Sequence, residues 1–376
     1  MFIYILIFLL VAFSLVSKNG TIRKNTRWIF YFILPIFISC GYMTGGDWRM
    51  YEIDYVSFVG NNSYGRDYGT EYGYTALIKL FKILDIDFWW FTIFSKLIGF
   101  YFFIKAYKYY EIKKYWGLVF WLPYFALFLW IDHPARNFIA IIIYSVSLKY
   151  IYERKLIKYL LLCIIAASMH SSAFALIPFY FYINKRSNDK YWIDVACIIV
   201  TFFVASLASV ILERLPETQM AMRFLNYANS DLDEFQEKMS LGIFALLVSF
   251  VAFAIYKIKD IRTYTRYADF IVKCCLVYLF LFATGNLNHI LFRLPFFMML
   301  PFTLLITILC ELRVKFRKIY VIRCFIICFS FYYMIHLVTK SYQYVPYSNY
   351  LQYVFQDKPS YNERSNYNHK NSPYVK

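Results

Sequence analysis

The sequence predicts an all-α, polytopic membrane protein with about ten full transmembrane spans and one re-entrant helical hairpin near residues 157–183. Of its 376 residues, 61% are hydrophobic and only 17% are charged, whereas soluble proteins are nearer half apolar and a quarter charged. The mean hydropathy is +0.48. Several apolar runs reach about 17 to 22 residues, which is long enough to cross the hydrocarbon core of a bilayer.

The net charge of +17 could suggest a nucleic-acid partner. Most lysines and arginines, however, lie in short loops between apolar runs, as the positive-inside rule requires of cytoplasmic loops. We therefore expect no nucleic acid as a partner. The eight cysteines fall inside apolar runs without a CxxC pair, so we interpret them as small buried side chains rather than metal ligands or disulfides.

The first two predicted spans, residues 2–17 and 28–43, flank a basic loop that is expected in the cytoplasm. A polar region at about residues 44–87 follows and is predicted to be an external loop. Residues 72–84 within it are too few to span a membrane and predict an amphipathic helix lying in the outer interface. Its apolar face is predicted from four side chains at helical spacing: Leu77, Leu80, Phe81 and Leu84.

The rest of the transmembrane domain, predicted over residues 1–340, follows the same alternation of apolar runs and basic loops. A second external loop, rich in acidic residues, is predicted at about 213–239. Residues 341–376 are expected to be an external C-terminal segment that is disordered from about residue 356. The remaining predicted full spans are 88–104, 116–131, 137–152, 191–212, 240–256, 267–282, 294–310 and 319–338.

The segment Leu160–Ile183 decides the topology, because it is about long enough to cross once yet carries His170-Ser171-Ser172 near its middle. If it crossed fully, the basic loop 257–266 would face outside and the acid-rich loop would face the cytoplasm. If it dips in and returns, every basic loop is internal, and we favour this arrangement. A re-entrant backbone requires surrounding protein or a water-filled cavity. His170 is therefore expected to line an interior site that opens outward.

Several short motifs occur in a fixed order along the chain. Together they resemble the EpsG-like branch of the Wzy-type polysaccharide polymerases, which make bacterial O-antigen, capsule or exopolysaccharide, and the resemblance covers about residues 40–350. The motifs are GGDWRMY (45–51), EYGYTALIKL (71–80), DHPARNFIA (132–140), AASMHSSAFALIP (166–178) and VPY (345–347).

The resemblance implies a multi-pass glycosyltransferase of the bacterial inner membrane, with its active site on the periplasmic or outer side. Such enzymes transfer the growing glycan from undecaprenyl diphosphate onto the next undecaprenyl-diphosphate-linked repeat unit. A chain-length regulator and a flippase are the further partners implied, besides the lipid bilayer. No cofactor is expected.

The implied reaction needs cations for its diphosphate leaving group, and arginine binds phosphate oxygens in a bidentate fork. Arg136 and Arg293 stand at predicted external ends of spans, and Arg49, Arg66 and Arg223 lie in external loops. An arginine at a helix end can also simply snorkel, so a structural role stays open for each. Arg136 is favoured because it matches an arginine that precedes a helix in the family.

The reaction also needs a base for the attacking hydroxyl, and His170 is the first candidate because imidazole titrates near neutrality. Ser171 is predicted to bind substrate beside it. The alternative is a structural His170, hydrogen-bonded to a neighbouring helix, with Ser171 and Ser172 capping a helix restart. The topology follows from charges, whereas the chemistry follows from the resemblance.

The first external loop offers two carboxylates, Asp47 and Glu71, either of which could be the base or could fix an arginine. Trp48 adds a ring for sugar stacking, although a tryptophan at the end of a span is also an ordinary interfacial anchor. His289 is a weaker candidate for substrate binding, and His133 is weaker still.

Three other functions are weighed against a polymerase. A metal-dependent glycosyltransferase acting on lipid-phosphate sugars would use adjacent acids, but Asp47, Glu52 and Asp54 are not adjacent, and no metal site is evident. A flippase for lipid-linked oligosaccharides would often show matching broken helices in two halves, and only one broken helix is found. A membrane acyltransferase would need an acyl-donor motif that the sequence lacks.

Overall fold

The computed structural model describes residues 1–16, 28–58, 71–185, 190–212, 241–285, 289–312 and 316–373. These residues are mostly helical, which confirms the all-α prediction. The sheet described is a two-stranded antiparallel pairing of β1 (Gly41–Tyr42) with β2 (Ser348–Asn349). This pairing brings the residues just before the GGDWRMY motif next to those just after the VPY motif.

The helices vary widely in length, and several are continued by π-helical or 3-10 turns. In chain order they are α1 Phe2–Val16, a π-helical turn Ile29–Ile33 leading into α2 Leu34–Ser39, α3 Trp48–Ser57, α4 Tyr72–Ile83, α5 Phe88–Tyr109, α6 Gly117–Trp121 leading into a π-helix Leu122–Asp132, α7 Ala135–Tyr152, α8 Leu156–Met169, a 3-10 helix Ser171–Leu176, α9 Phe179–Asn184, α10 Tyr191–Leu212, α11 Leu241–Tyr256, α12 Ile258–Tyr264, α13 Ala268–Thr284, α14 His289–Phe292, a 3-10 helix Leu294–Met298, α15 Met299–Glu311, α16 Phe316–Lys340, short 3-10 turns Tyr342–Tyr344 and Tyr350–Tyr353, and α17 Tyr361–Asn371.

Two helical stretches of the described chain, Leu294–Glu311 and Tyr320–Lys340, are long and apolar enough to cross a membrane, and α11 with α12 would add a third if that bent pair is one span. The predicted count of about ten spans is thus not confirmed. Several other apolar helices are interrupted or short. A fourteen-residue helix such as α8 rises about 21 Å, less than the roughly 30 Å of hydrocarbon.

The core is closely packed where α6 meets α15. The backbone N–H of Gly117 donates to Thr307 Oγ1 at 2.8 Å, and Tyr107 Oη lies 2.7 Å from the same oxygen. A Cβ on Gly117 would collide with the carbonyl oxygen of Thr303. Glycine therefore lets these two helices approach at backbone contact, and buried aromatic side chains fill the space around them.

The loops that follow α5, α7 and α12 meet at one end of the bundle, which we call the basic end. The hydroxyl of Tyr109 donates to Glu153 at 2.9 Å, joining the first two loops. Arg266 donates to Glu111 at 2.8 Å, joining the first and third. These contacts bring together loops that the sequence predicts to lie on one side of the membrane.

The chain reverses direction at His170. The hydroxyl of Tyr159, near the start of α8, donates to the backbone carbonyl of Leu176 at 2.8 Å, so α8 lies beside the segment that follows His170. Lys273 near the start of α13 donates to the carbonyl of Ile183 at 3.3 Å. The segment therefore begins and ends towards the basic end, with His170 at its tip.

Helix α4 forms where an amphipathic helix is predicted, and its packed face overlaps the predicted apolar face in part. Its buried side chains are Tyr74 and Ile78, whereas Leu80 and Leu84 are exposed. Leu77 and Phe81 of the predicted apolar face pack beside Tyr74 and Ile78, while the position of α4 in the outer interface of the membrane stays a prediction. Tyr74 contacts other aromatic side chains, a partner that spacing alone does not reveal.

The C-terminal segment forms helix α17, where the sequence predicts disorder from about residue 356. Ser360 and Glu363 form a capping box at its start. Arg364 makes a 3.0 Å ion pair with Glu52 of α3, and Asn368 donates to the carbonyl of Gln343. The polar composition suggested disorder because these partners lie far away in the sequence.

Candidate functional site

Glu71 is the centre of a cluster that joins three of the sequence motifs. One carboxylate oxygen, Oε2, is paired with Arg136. The other, Oε1, lies 2.7 Å from Nδ1 of His170 and accepts a 3.3 Å hydrogen bond from the backbone N–H of Ser171. Three of the predicted catalytic residues, Glu71, Arg136 and His170, are therefore in contact. Ser171, predicted to bind substrate, contributes a backbone N–H to this cluster.

Each of the three side chains is placed by a helix end or a break. Glu71 immediately precedes α4, and Arg136 is the second residue of α7. His170 has an extended backbone between α8 and the 3-10 helix. The close approach of α4 to the hairpin tip depends on Gly73, because a Cβ there would collide with the hydroxyl of Ser168.

The electrostatics keep Glu71 ionised. Its side chain is only 7% exposed, and burial by itself raises the pKa of the carboxyl. The hydrogen bond from His170 and the positive charge of Arg136 outweigh burial and hold the pKa of Glu71 below its usual range. Tyr51 of α3 adds a hydrogen bond between its side chain and that of Arg136.

This geometry gives His170 a defined orientation. A carboxylate accepts a hydrogen bond from Nδ1–H and so favours the tautomer whose other nitrogen, Nε2, is an acceptor. The same carboxylate stabilises the imidazolium that forms when Nε2 takes a proton. The His170 and Arg136 side chains are each 19% exposed. The cluster can thus accept a proton beside a fixed positive charge.

A second cluster forms around Asp132, at the end of the π-helix. Its Oδ1 accepts hydrogen bonds from the backbone N–H groups of Gly46 and Asp47, the latter at 3.2 Å. The charges of Asp47 and Arg293 both act on this carboxylate. Asp47 and Arg293, two predicted site residues, are therefore placed at Asp132 rather than at Glu71.

Trp48 and Arg49 lie beneath the C-terminal helix. Trp48 is 3% exposed, and its ring packs against Trp89 and Tyr361 at centroid distances of 5.3 and 6.2 Å. Arg49 donates two hydrogen bonds, of 3.1 and 3.0 Å, to the carbonyl of Ser365. Sugar stacking on Trp48 stays a prediction, and it would require movement of α17.

Arg66 and Arg223 lie outside the described residues, and His289 begins helix α14 although its side chain is not among those described. His133 is buried, with Nε2 lying 3.2 Å from the hydroxyl of Ser95.

Asp132 and Tyr51 are the site residues that sequence reasoning missed. Both lie inside quoted motifs, DHPARNFIA and GGDWRMY. Their position in those motifs was the available signal. Asp132, however, follows an apolar run as many loop acids do, and Tyr51 is one of 38 tyrosines, so neither residue could be distinguished from others of its type. In the described part of the chain, no three His, Cys, Asp or Glu residues cluster so as to hold a metal ion.

The model of the EpsG family matches residues 24–349. No curated protein and no solved structure matches the chain.

Proposed function

The chain belongs to the EpsG family, and on that premise we propose that it is a membrane glycosyltransferase that polymerises lipid-linked oligosaccharide repeat units. Family membership and the apolar helices indicate a polysaccharide polymerase-type membrane protein. The observation that carries the finer proposal is the meeting of Glu71, Arg136 and His170. Three separate motifs supply these residues, and glycosyl transfer needs the groups they offer.

In the proposed reaction, a sugar hydroxyl of one lipid-linked unit attacks the anomeric carbon of the growing chain. The new carbon–oxygen bond forms as the bond from that carbon to the diphosphate oxygen breaks. Undecaprenyl diphosphate leaves with the electron pair, and the proton of the hydroxyl passes to a base. The reaction is a substitution without any change of oxidation state, so no redox partner is required.

His170 is proposed as the base, acting through Nε2. Glu71 holds Nδ1 at 2.7 Å, which orients the ring and stabilises its protonated form. Arg136 is proposed to stabilise the negative charge that develops on the diphosphate, since a guanidinium stays charged and matches phosphate oxygens. Its pairing with Glu71 places that positive charge beside the base.

The proposed location is the bacterial inner membrane, with the site facing the periplasm or the cell exterior. This orientation is supported by the basic end, which the positive-inside rule assigns to the cytoplasm. The reversal of the chain at His170 supports a re-entrant hairpin whose tip faces the opposite side. The proposed partners are undecaprenyl-diphosphate-linked oligosaccharides, a chain-length regulator and a flippase.

Deletion of the gene followed by complementation tests the proposal. The deletion strain is expected to display surface glycan with single repeat units and no ladder of longer chains, whereas loss of all surface repeat units would indicate the flippase alternative. His170→Ala and Arg136→Ala should each fail to restore ladders, while His369→Ala, in the exposed part of α17, should restore them. Normal ladders with both site variants would overturn the proposal.

A further inference from the structure

We infer that Asp132 is a positioning residue of the proposed polymerase, clasping the loop Gly45–Asp47 against the turn that delivers Arg136. This inference rests on the proposed function only for its activity measurement. The clasp itself consists of one buried carboxylate oxygen that accepts hydrogen bonds from the backbone N–H groups of Gly46 and Asp47. Asp132 is 7% exposed, so water competes poorly for these hydrogen bonds.

The glycines of the loop are required for this contact. Gly45 has a φ of +88°, in the left-handed region. A Cβ on Gly45 would lie 2.6 Å from Cα of Asp132 and 3.1 Å from the carbonyl oxygen of Ile131. Gly45 also donates its N–H to the carbonyl of Gln343 at 2.9 Å. The loop is therefore pressed against the turn at backbone distance, with the C-terminal segment behind it.

The turn on the other side of the clasp is itself held firmly. The N–H of His133 donates to the carbonyl of Phe128 at 3.1 Å, closing the π-helix, and His133 has a left-handed φ of 56°. Its ring lies beside Ser95 of α5. Asp132 thus lies at the hydrogen-bonded end of a π-helix, and π-helical segments are frequent at functional sites.

The clasp completes a closed ring of contacts around Arg136. On one side, four residues lead from Asp132 to Arg136, a separation of at most about 14 Å. On the other side, the loop continues directly into α3, where Tyr51 contacts the side chain of Arg136. Loss of the Asp132 hydrogen bonds would free the loop and the turn to shift relative to each other. Arg136 and Tyr51 would then separate.

Two variants distinguish positioning from a chemical role for Asp132. Asp132→Ala removes the acceptor and is expected to lower kcat about 10- to 100-fold with little change in KM, since small misplacements of a catalytic group cost rate. Asp132→Asn keeps an acceptor oxygen for both N–H groups and should therefore keep kcat within about 3-fold of the wild type, a difference in activation free energy of under about 1 kcal/mol. The assay is chain extension by purified protein on undecaprenyl-diphosphate-linked repeat units.

Asp357→Ala, an exposed carboxylate beside α17, is the matched control and should retain full activity. Equal impairment of Asp132→Asn and Asp132→Ala would overturn the inference, as would wild-type kcat in Asp132→Ala. If Asp132→Ala does not fold, Gly45→Ala breaks the clasp from the loop side and should lower kcat similarly, while full activity in that variant contradicts the clasp.

Failure of the proposed function would be recognised separately, because the wild-type protein itself would then extend no chains. The clasp would in that case be measured by thermal unfolding of the Gly45→Ala and Asp132→Ala variants and their combination. Effects of residues in contact are not additive, so the double variant should be less destabilised than the sum of the two. Additive effects would contradict the clasp.

Discussion

Nδ1 of His170 lies 2.7 Å from Oε1 of Glu71, although 99 positions separate the two residues in the chain. The contact joins the tip of the hairpin to the start of α4. Arg136, held on the other oxygen of the same carboxylate, adds the start of α7. Glu71 thus contacts both the proposed base and the proposed cation.

Replacement of Glu71 by glutamine tests this shared role. The amide retains an oxygen for His170 but loses the charge that stabilises an imidazolium and pairs with Arg136. We expect the polymerisation rate of Glu71→Gln to fall about 100-fold, within the range for loss of acid–base assistance. Glu153→Gln, a carboxylate at the basic end that binds Tyr109, should stay near the wild-type rate. A Glu71→Gln enzyme as fast as its control would exclude the role.

The pH dependence of stability offers a second test of Glu71. Because the pKa of Glu71 is lowered in the folded state, its stabilising effect is fully present above the ordinary glutamate pKa of about 4.3. It is lost as the pH falls through the lowered folded-state pKa. The difference in unfolding temperature between wild type and Glu71→Gln should be constant from about pH 8 to 6 and shrink only on strong acidification. A difference that already shrinks near neutrality would contradict this.

We predict that Gly73 allows the close approach of Glu71 to His170. Gly73→Ala places a Cβ against Ser168, with Met169 Cε at 3.1 Å, and should push α4 away from the hairpin tip. We expect an activity loss of about 10-fold or more. Gly41→Ala is the matched control, since its Cβ would meet other atoms only at 3.7 Å or beyond. Equal activity of the two variants would show that the close approach is unimportant.

The C-terminal helix should contribute measurably to stability through Arg364. The side chains of Arg364 and Glu52 are 10% and 9% exposed, and removing one partner of a buried pair typically costs about 3 kcal/mol. The unfolding temperature of Arg364→Ala should therefore fall clearly. Lys358→Ala breaks a pair with Asp87 whose side chains are 38% and 42% exposed, and it should cost under about 1 kcal/mol. A smaller effect at Arg364 than at Lys358 would show that α17 is not anchored there.

The re-entrant hairpin predicts that its two ends face the same side of the membrane. Cysteines introduced at Lys155 and Lys185, which precede and follow the hairpin, should both react only with a membrane-permeant reagent in intact cells. A cysteine at Asn362, exposed in α17, should react with an impermeant one. Opposite accessibility of Lys155→Cys and Lys185→Cys would mean that the segment crosses the membrane completely.

The apolar composition of the sequence predicted the helical class. Glu71, Arg136 and His170 could be predicted as site residues because they are charged or titratable residues that lie in the motifs resembling the family. The sequence could not tell which of the predicted site residues meet. Asp47 and Arg293 lie near Asp132 instead. The loop at Gly45 is held against the turn by hydrogen bonds from its backbone N–H groups to the Asp132 carboxylate. Helix α4 packs against Tyr51, and α17 is anchored by Glu52. Both partners are distant in the sequence, so helical spacing and composition could not predict these contacts.

The most direct test of the central claim is the rate at which purified protein extends undecaprenyl-diphosphate-linked repeat units when His170 is replaced by alanine. If His170 takes the proton of the attacking hydroxyl, the rate should fall at least about 100-fold while His369→Ala remains near the wild-type rate. A His170→Ala enzyme within about 2-fold of wild type, less than any acid–base contribution, would contradict the account.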